Sequence, residues 1–123
     1  MSLKFYKCSH CGQIVEMIKD KNVPIICCGE KMQELIAGTV EASREKHIPV
    51  WKQDGEDIVV SVGSIEHPMI PEHYIEWVVI ETDNSVIRVE LKPHDKPTVK
   101  VNVEGRSVNS VYAYCNLHGL WRG

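Results

Sequence analysis

The chain of 123 residues lacks much of what common functions require. No apolar run approaches the roughly 20 residues that a membrane-spanning helix needs. There is one Phe, and Lys plus Arg number 14 against 17 Asp plus Glu, a net charge of −3. A protein that tracks phosphates with a basic face and stacks bases on aromatic rings is therefore not expected, and no nucleic-acid partner is assigned. No segment repeats, none is of low complexity, and none keeps a long helical period. The opening residues, MSLKFYKC, hold no apolar signal-peptide core. The expected location is the cytoplasm, where cysteines stay reduced and serve metals or catalysis. Cysteine itself is sparse, and its odd count of 5 suits a pure disulfide framework poorly.

What is present falls into two parts. Residues 1–36 carry Cys8 and Cys11 in KCSHCG and Cys27 and Cys28 in IICCGEKM. So short a segment buries little core and needs a metal to fold. A C-x-x-C pair brings two thiolates to one ion from one tight turn, and a second pair completes four donors. The second pair is adjacent, so its side chains diverge and a distorted tetrahedron is expected. A structural zinc knob and a disulfide among these cysteines are the plainer readings of the same spacing. His10, inside the first pair, is read as facing solvent. Residues 37–46, AGTVEASREK, read as a linker with one helical turn near Ser43.

From residue 47 the pattern is β. Segments 58–62, 74–82, 86–92, 98–104 and 110–115 are rich in Val, Ile, Tyr and Trp. VKVNVE alternates cleanly, and VIRVEL places its even-numbered residues outward apart from Val86. The turn signals QDGED, TDNS, KPHDKP and VEGRS separate them. Short strands at this spacing predict an antiparallel sandwich, so the whole chain reads as all-β: a metal-knuckle module at 1–36 and a sandwich domain at 37–123 that includes the linker.

Four histidines and the fifth cysteine lie in loop-like contexts: His47 in KHIP, His67 and His73 in EHPMIPEHY, Cys115 and His118 in CNLHG. His94, in KPHDKP, reads as a turn residue. Four imidazoles and one thiolate exceed a tetrahedral zinc site and are the wrong donors for calcium or magnesium. Four nitrogens in a plane with sulfur on one axis leave the opposite axis open. On ferrous iron such a set carries about one net positive charge by formal counting, which draws a small anion. Lys46 either adds positive charge at the mouth or is a solvated lysine. Glu45 either reaches the open axis or decorates the surface.

Taken in order, CSHCG, CCG, EKHIP, EHPM, HYIEW and CNLHGLW resemble desulfoferrodoxin, the two-iron class of superoxide reductase, over nearly the whole chain. The resemblance implies a desulforedoxin-like module with iron on Cys8, Cys11, Cys27 and Cys28. It implies an immunoglobulin-like β-sandwich whose iron takes His47, His67, His73 and His118 as equatorial ligands and Cys115 as the axial one. It also implies a homodimer, superoxide as substrate, hydrogen peroxide as product and a rubredoxin-like electron donor. In the family the residue matching Lys46 attracts superoxide, and that matching Glu45 caps the ferric site. An electron carrier using only the cysteine-bound iron, and a zinc-ribbon binding module, are the competing readings.

Overall fold

The computed structural model describes residues 3–123. The chain divides into two compact units, one ending at Ile36 and the other running from Ala37 to Gly123. No helix among the described residues is long and apolar enough to cross a membrane.

Among the described residues the smaller unit has five short strands: β1 (Phe5–Lys7), β2 (Ile14–Glu16), β3 (Ile26–Cys27), β4 (Glu30–Lys31) and β5 (Gln33–Glu34). β1 is paired antiparallel with β2 and β5, and β3 with β4. Phe5, Cys8 and Met32 are its buried apolar residues. That handful is too small a core to hold the unit together unaided.

The larger unit opens on a one-turn helix, α1 (Arg44–His47), with Ser43 at its N-cap. Seven strands follow: β6 (Pro49–Asp54), β7 (Asp57–Val62), β8 (Ile75–Thr82), β9 (Val86–Glu90), β10 (Thr98–Asn102), β11 (Val108–Cys115) and β12 (Gly119–Arg122). They form two antiparallel sheets, ordered β10-β7-β6 and β12-β11-β8-β9. The inward residues of both sheets meet in one core: Ile58, Val60 and Val62 of β7 against Val78 and Ile80 of β8 and Val111 and Ala113 of β11. Each is essentially solvent-free, and burying a side chain of this size contributes roughly 1.5–3 kcal/mol. The expected β-sandwich thus closes on one apolar core: β7 alternates with the pleat, whereas most residues of β8 and β11 are buried on both faces.

Several local expectations change. Residues 49–54 and 119–122 are strands that the pattern did not announce. Val86 is no exception to its neighbours: it is 44% exposed, so the even-numbered residues of β9 all face out. The stretch 37–46 is tied down by Gly38 N–H donating to the Leu120 carbonyl (2.9 Å), and its helical turn begins one residue after Ser43.

Candidate metal sites

In the smaller unit Cys8 closes a knuckle: its carbonyl accepts from Gly12 N–H (3.0 Å), its N–H donates to the Gln13 carbonyl (2.9 Å), and the Cys11 amide points at its sulfur (3.5 Å). Cys27 ends β3, and Cys28-Gly29 is the two-residue turn to β4, with φ of 52° and 79°. Positive φ at both central positions is the hairpin turn that matches strand twist, normally made by Asn-Gly or Gly-Gly. A cysteine in the left-handed region is uncommon and marks a demand on that side chain.

The four sulfurs lie within 4.8 Å of one another, and all five cysteines of the chain are free thiols. Cys11 and Cys27 sulfurs are 3.6 Å apart. Sulfurs held at roughly 2.3 Å from one ion in a tetrahedron stand about 3.8 Å apart, so the spacing suits a shared metal. The Cys11 and His10 amides draw the Cys8 thiol down to about 6. Hydrogen bonds to Cys8 and then Cys11 push Cys27 up to about 12, so this cluster does not hold four negative charges without a cation. His10 pairs with Glu30 at the surface (3.1 Å).

In the larger unit five donors arrive from three places. His47 ends α1, His67 and His73 follow β7, and Cys115 and His118 flank the β11–β12 turn, where Gly119 takes the φ of 78° that brings the chain back opposite Cys115. The donor atoms of His47, His67, His73 and Cys115 lie within 4.8 Å of one another. His118 joins through Nδ1, 3.1 Å from His47 Nε2 and 3.8 Å from Cys115 Sγ.

The four rings form a square. Successive centroids are 4.5 Å (His47–His67), 4.7 Å (His67–His73), 5.0 Å (His73–His118) and 4.8 Å (His118–His47) apart, with neighbours steeply crossed at 75° to 89°. Across the diagonal, His47 and His73 are 6.2 Å apart and inclined by only 30°.

Backbone carbonyls set the tautomers. Nδ1 of His47 meets the Ser43 carbonyl at 2.6 Å and Nδ1 of His67 meets that of Pro68 at 2.7 Å. A carbonyl only accepts, so each Nδ1 carries the proton and each Nε2 presents a lone pair. Those two Nε2 atoms are 3.1 Å apart. Two lone pairs facing each other at that distance repel unless a cation lies between them. Nitrogens roughly 2.1 Å from one metal and at right angles stand about 3 Å apart. His73 Nε2 is buried without a hydrogen-bond partner among the described residues, a costly state that a metal relieves.

Burial holds the imidazoles neutral. It pushes His67 down to about 4 and lowers His47 and His73, with the nearby Lys46 charge lowering those two further. Burial also pushes the Cys115 thiol up, against the Leu117 and His118 amides that favour its anion. A bound cation tips that balance to thiolate.

Lys46 and Glu45 are both exposed. What the fold grips is the Glu45 backbone: its carbonyl accepts from Ser64 Oγ (3.2 Å) and Ile65 N–H (3.0 Å). His94 lies in a turn at φ 74°. Sequence reasoning missed Trp121, which stacks on His47 (5.0 Å) and donates Nε1–H to the His118 carbonyl (3.1 Å). It also missed Gly63, whose backbone packs so closely on that of Glu45, Lys46 and Ile48 that a Cβ would not fit, an approach between segments that no local pattern reveals.

Comparison with known proteins gives a consistent picture. Residues 39–123 match the family described as desulfoferrodoxin, and residues 2–35 match the desulfoferrodoxin N-terminal domain. A desulfoferrodoxin homolog of Archaeoglobus fulgidus is 42% identical over 98% of this chain and 95% of its own. The desulfoferrodoxin of Nitratidesulfovibrio vulgaris is 39% identical over 97% and 94%. Among solved structures, the superoxide reductase from Treponema pallidum superposes with a TM-score of 0.83 at 35% identity, covering 100% of this chain and 99% of that one.

Proposed function

This chain belongs to the desulfoferrodoxin family, and from that premise we propose that it is a superoxide reductase: superoxide, one electron and two protons give hydrogen peroxide, with no oxygen released. The observation that carries the reading is the square of four imidazoles with Cys115 beside it, a five-donor set that closes no tetrahedron. We assign His47, His67, His73, His118 and Cys115 as ligands of the reactive iron, and Cys8, Cys11, Cys27 and Cys28 as ligands of a second iron. Iron held by these five donors would supply the transferable electron and a positive centre for a small anion.

The chain's own residues do the rest. Three rings are held neutral, so the only formal negative charge among the five donors is the Cys115 thiolate. Lys46 brings an ammonium close enough to depress both His47 and His73, and there it attracts superoxide to an otherwise acidic protein. Glu45, its neighbour, serves as the carboxylate that caps the oxidised site. Residues 1–36 act as the desulforedoxin-like module and 37–123 as the reductase domain of a cytoplasmic homodimer fed by a rubredoxin-like donor. A pure electron carrier needs no such five-donor set, which favours the enzyme.

Superoxide consumption with peroxide counting tests this directly on protein purified without oxygen. A reductase yields one peroxide per superoxide. Yield of one peroxide per two superoxides, with oxygen released, identifies a dismutase instead and overturns the assignment.

Lys46→Ala is expected to slow the encounter with superoxide by up to about tenfold and to flatten its dependence on ionic strength, with iron still bound. Rates at rising salt check it: an unchanged profile removes Lys46 from steering.

A further inference from the structure

The backbone around His73 is fixed by a single side chain from another loop. Asn116 Oδ1 accepts from Tyr74 N–H (2.9 Å) and its Nδ2 donates to the Glu72 carbonyl (3.0 Å). Those groups belong to the two peptide units that bracket His73. The other half of each unit is held by Ile70, which exchanges two backbone bonds with His73 (3.0 and 3.1 Å). Ile70 lies on the same loop as His73 and moves with it. Asn116 follows Cys115 directly and precedes His118 by two, so it ties the His73 loop to the turn that carries two other donors.

The tie lies where the sheet gives out. Pairing between β11 and β8 shifts register between Tyr114 and Cys115, and past that point Asn116 N–H still reaches the Tyr74 carbonyl (3.2 Å). A carboxamide offers one acceptor and a donor group side by side, as a peptide does, and so extends the ladder by one artificial rung. His73 has particular need of it. His47 and His67 are aimed by carbonyls at their Nδ1 atoms, whereas the ring of His73 has no such hydrogen bond among the described residues.

We propose that Asn116 is the positioning residue for His73: its amide clasps both flanking peptides and holds the ring in register with Cys115 and His118. The proposal rests on the assignment of His73 as a ligand, and its test separates the two.

Iron release from the histidine–cysteine site to a chelator is followed by the absorption of that site in full-length protein, for Asn116→Ala, Asn116→Asp, His73→Ala and the double variant Asn116→Ala/His73→Ala. Loss of an outer partner of a metal ligand typically costs about 10–100-fold in affinity. Asn116→Ala is expected to fall in that range. Asn116→Asp keeps the acceptor for Tyr74 but turns a carboxylate toward the Glu72 carbonyl, and is expected to weaken binding and shift the absorption band. In the double variant the asparagine change should add little to the loss of His73, because coupled sites are not additive. Additive losses, or wild-type release and spectrum in both asparagine variants, overturn the clasp. Wild-type release in His73→Ala instead overturns the ligand assignment. Should Asn116→Ala fail to fold, Asn116→Asp with thermal melting of the metal-free protein decides the same question.

Discussion

Cys115→Ser is expected to abolish the sulfur-to-iron absorption of the oxidised protein and to cut superoxide reduction by more than the roughly 10–100-fold typical of losing an outer-shell partner. The sulfur is fully buried, within 4.8 Å of four imidazole donors, and faces the Leu117 and His118 amides. A serine hydroxyl fits the space and can accept from the same amides. It does not ionise readily there, and it lacks the polarisable sulfur that donates charge to a soft metal. Four imidazoles remain to hold iron, so the variant should retain metal while losing colour and turnover. Absorption spectra with metal analysis on the same samples check this. A variant that keeps the band would place the sulfur ligand elsewhere.

Gly63→Ala is expected to destabilise the larger unit by about 1–3 kcal/mol and to lower iron occupancy of the histidine–cysteine site. A Cβ at residue 63 would lie 2.5 Å from the Glu45 carbonyl oxygen, 2.9 Å from the Lys46 carbonyl carbon and 3.0 Å from the Ile48 carbonyl oxygen. All three are backbone atoms, so no side chain can swing aside. The one-turn helix must retreat, and it carries Glu45, Lys46 and His47 together. A four-residue helix has no stability of its own and keeps its place through this contact and the bonds from Ser64 and Ile65. For a domain of this size about 1 kcal/mol corresponds to roughly 4–8 °C in melting midpoint. Melting and iron content that match the parent protein would refute the close approach.

Much of this was legible beforehand because metal ligands betray themselves by type and spacing. Cys8 and Cys11 share one turn, Cys115 and His118 share another, and no folding model is needed to pair them. The strongly apolar strands were legible too, since β7 and β10 alternate with the pleat. β6 was not: it lies at a sheet edge with four of six residues exposed, so WKQD shows no apolar rhythm. Its leading Pro49 also reads as a break, although an edge strand tolerates it. Val86 looked like a core residue, but it opens the edge strand β9 beside an exposed turn. Asn116, Gly63 and Trp121 act across chain separations that local pattern does not encode.

The two donor sets differ in how much chain each must gather. In the cysteine set, sulfur contacts span residues 19 apart, within a unit of two small sheets. In the histidine set, His47 meets His118 across 71 residues, His67 joins from the loop after β7, and Cys115 joins from the end of β11 in the opposite sheet. Loop-closure entropy and contact order both penalise the second arrangement. A nascent or refolding chain can therefore assemble the cysteine donors from local turns. The imidazole square comes into being only once both sheets of the sandwich have closed, so it works as a topological checkpoint: iron seated there certifies a finished domain.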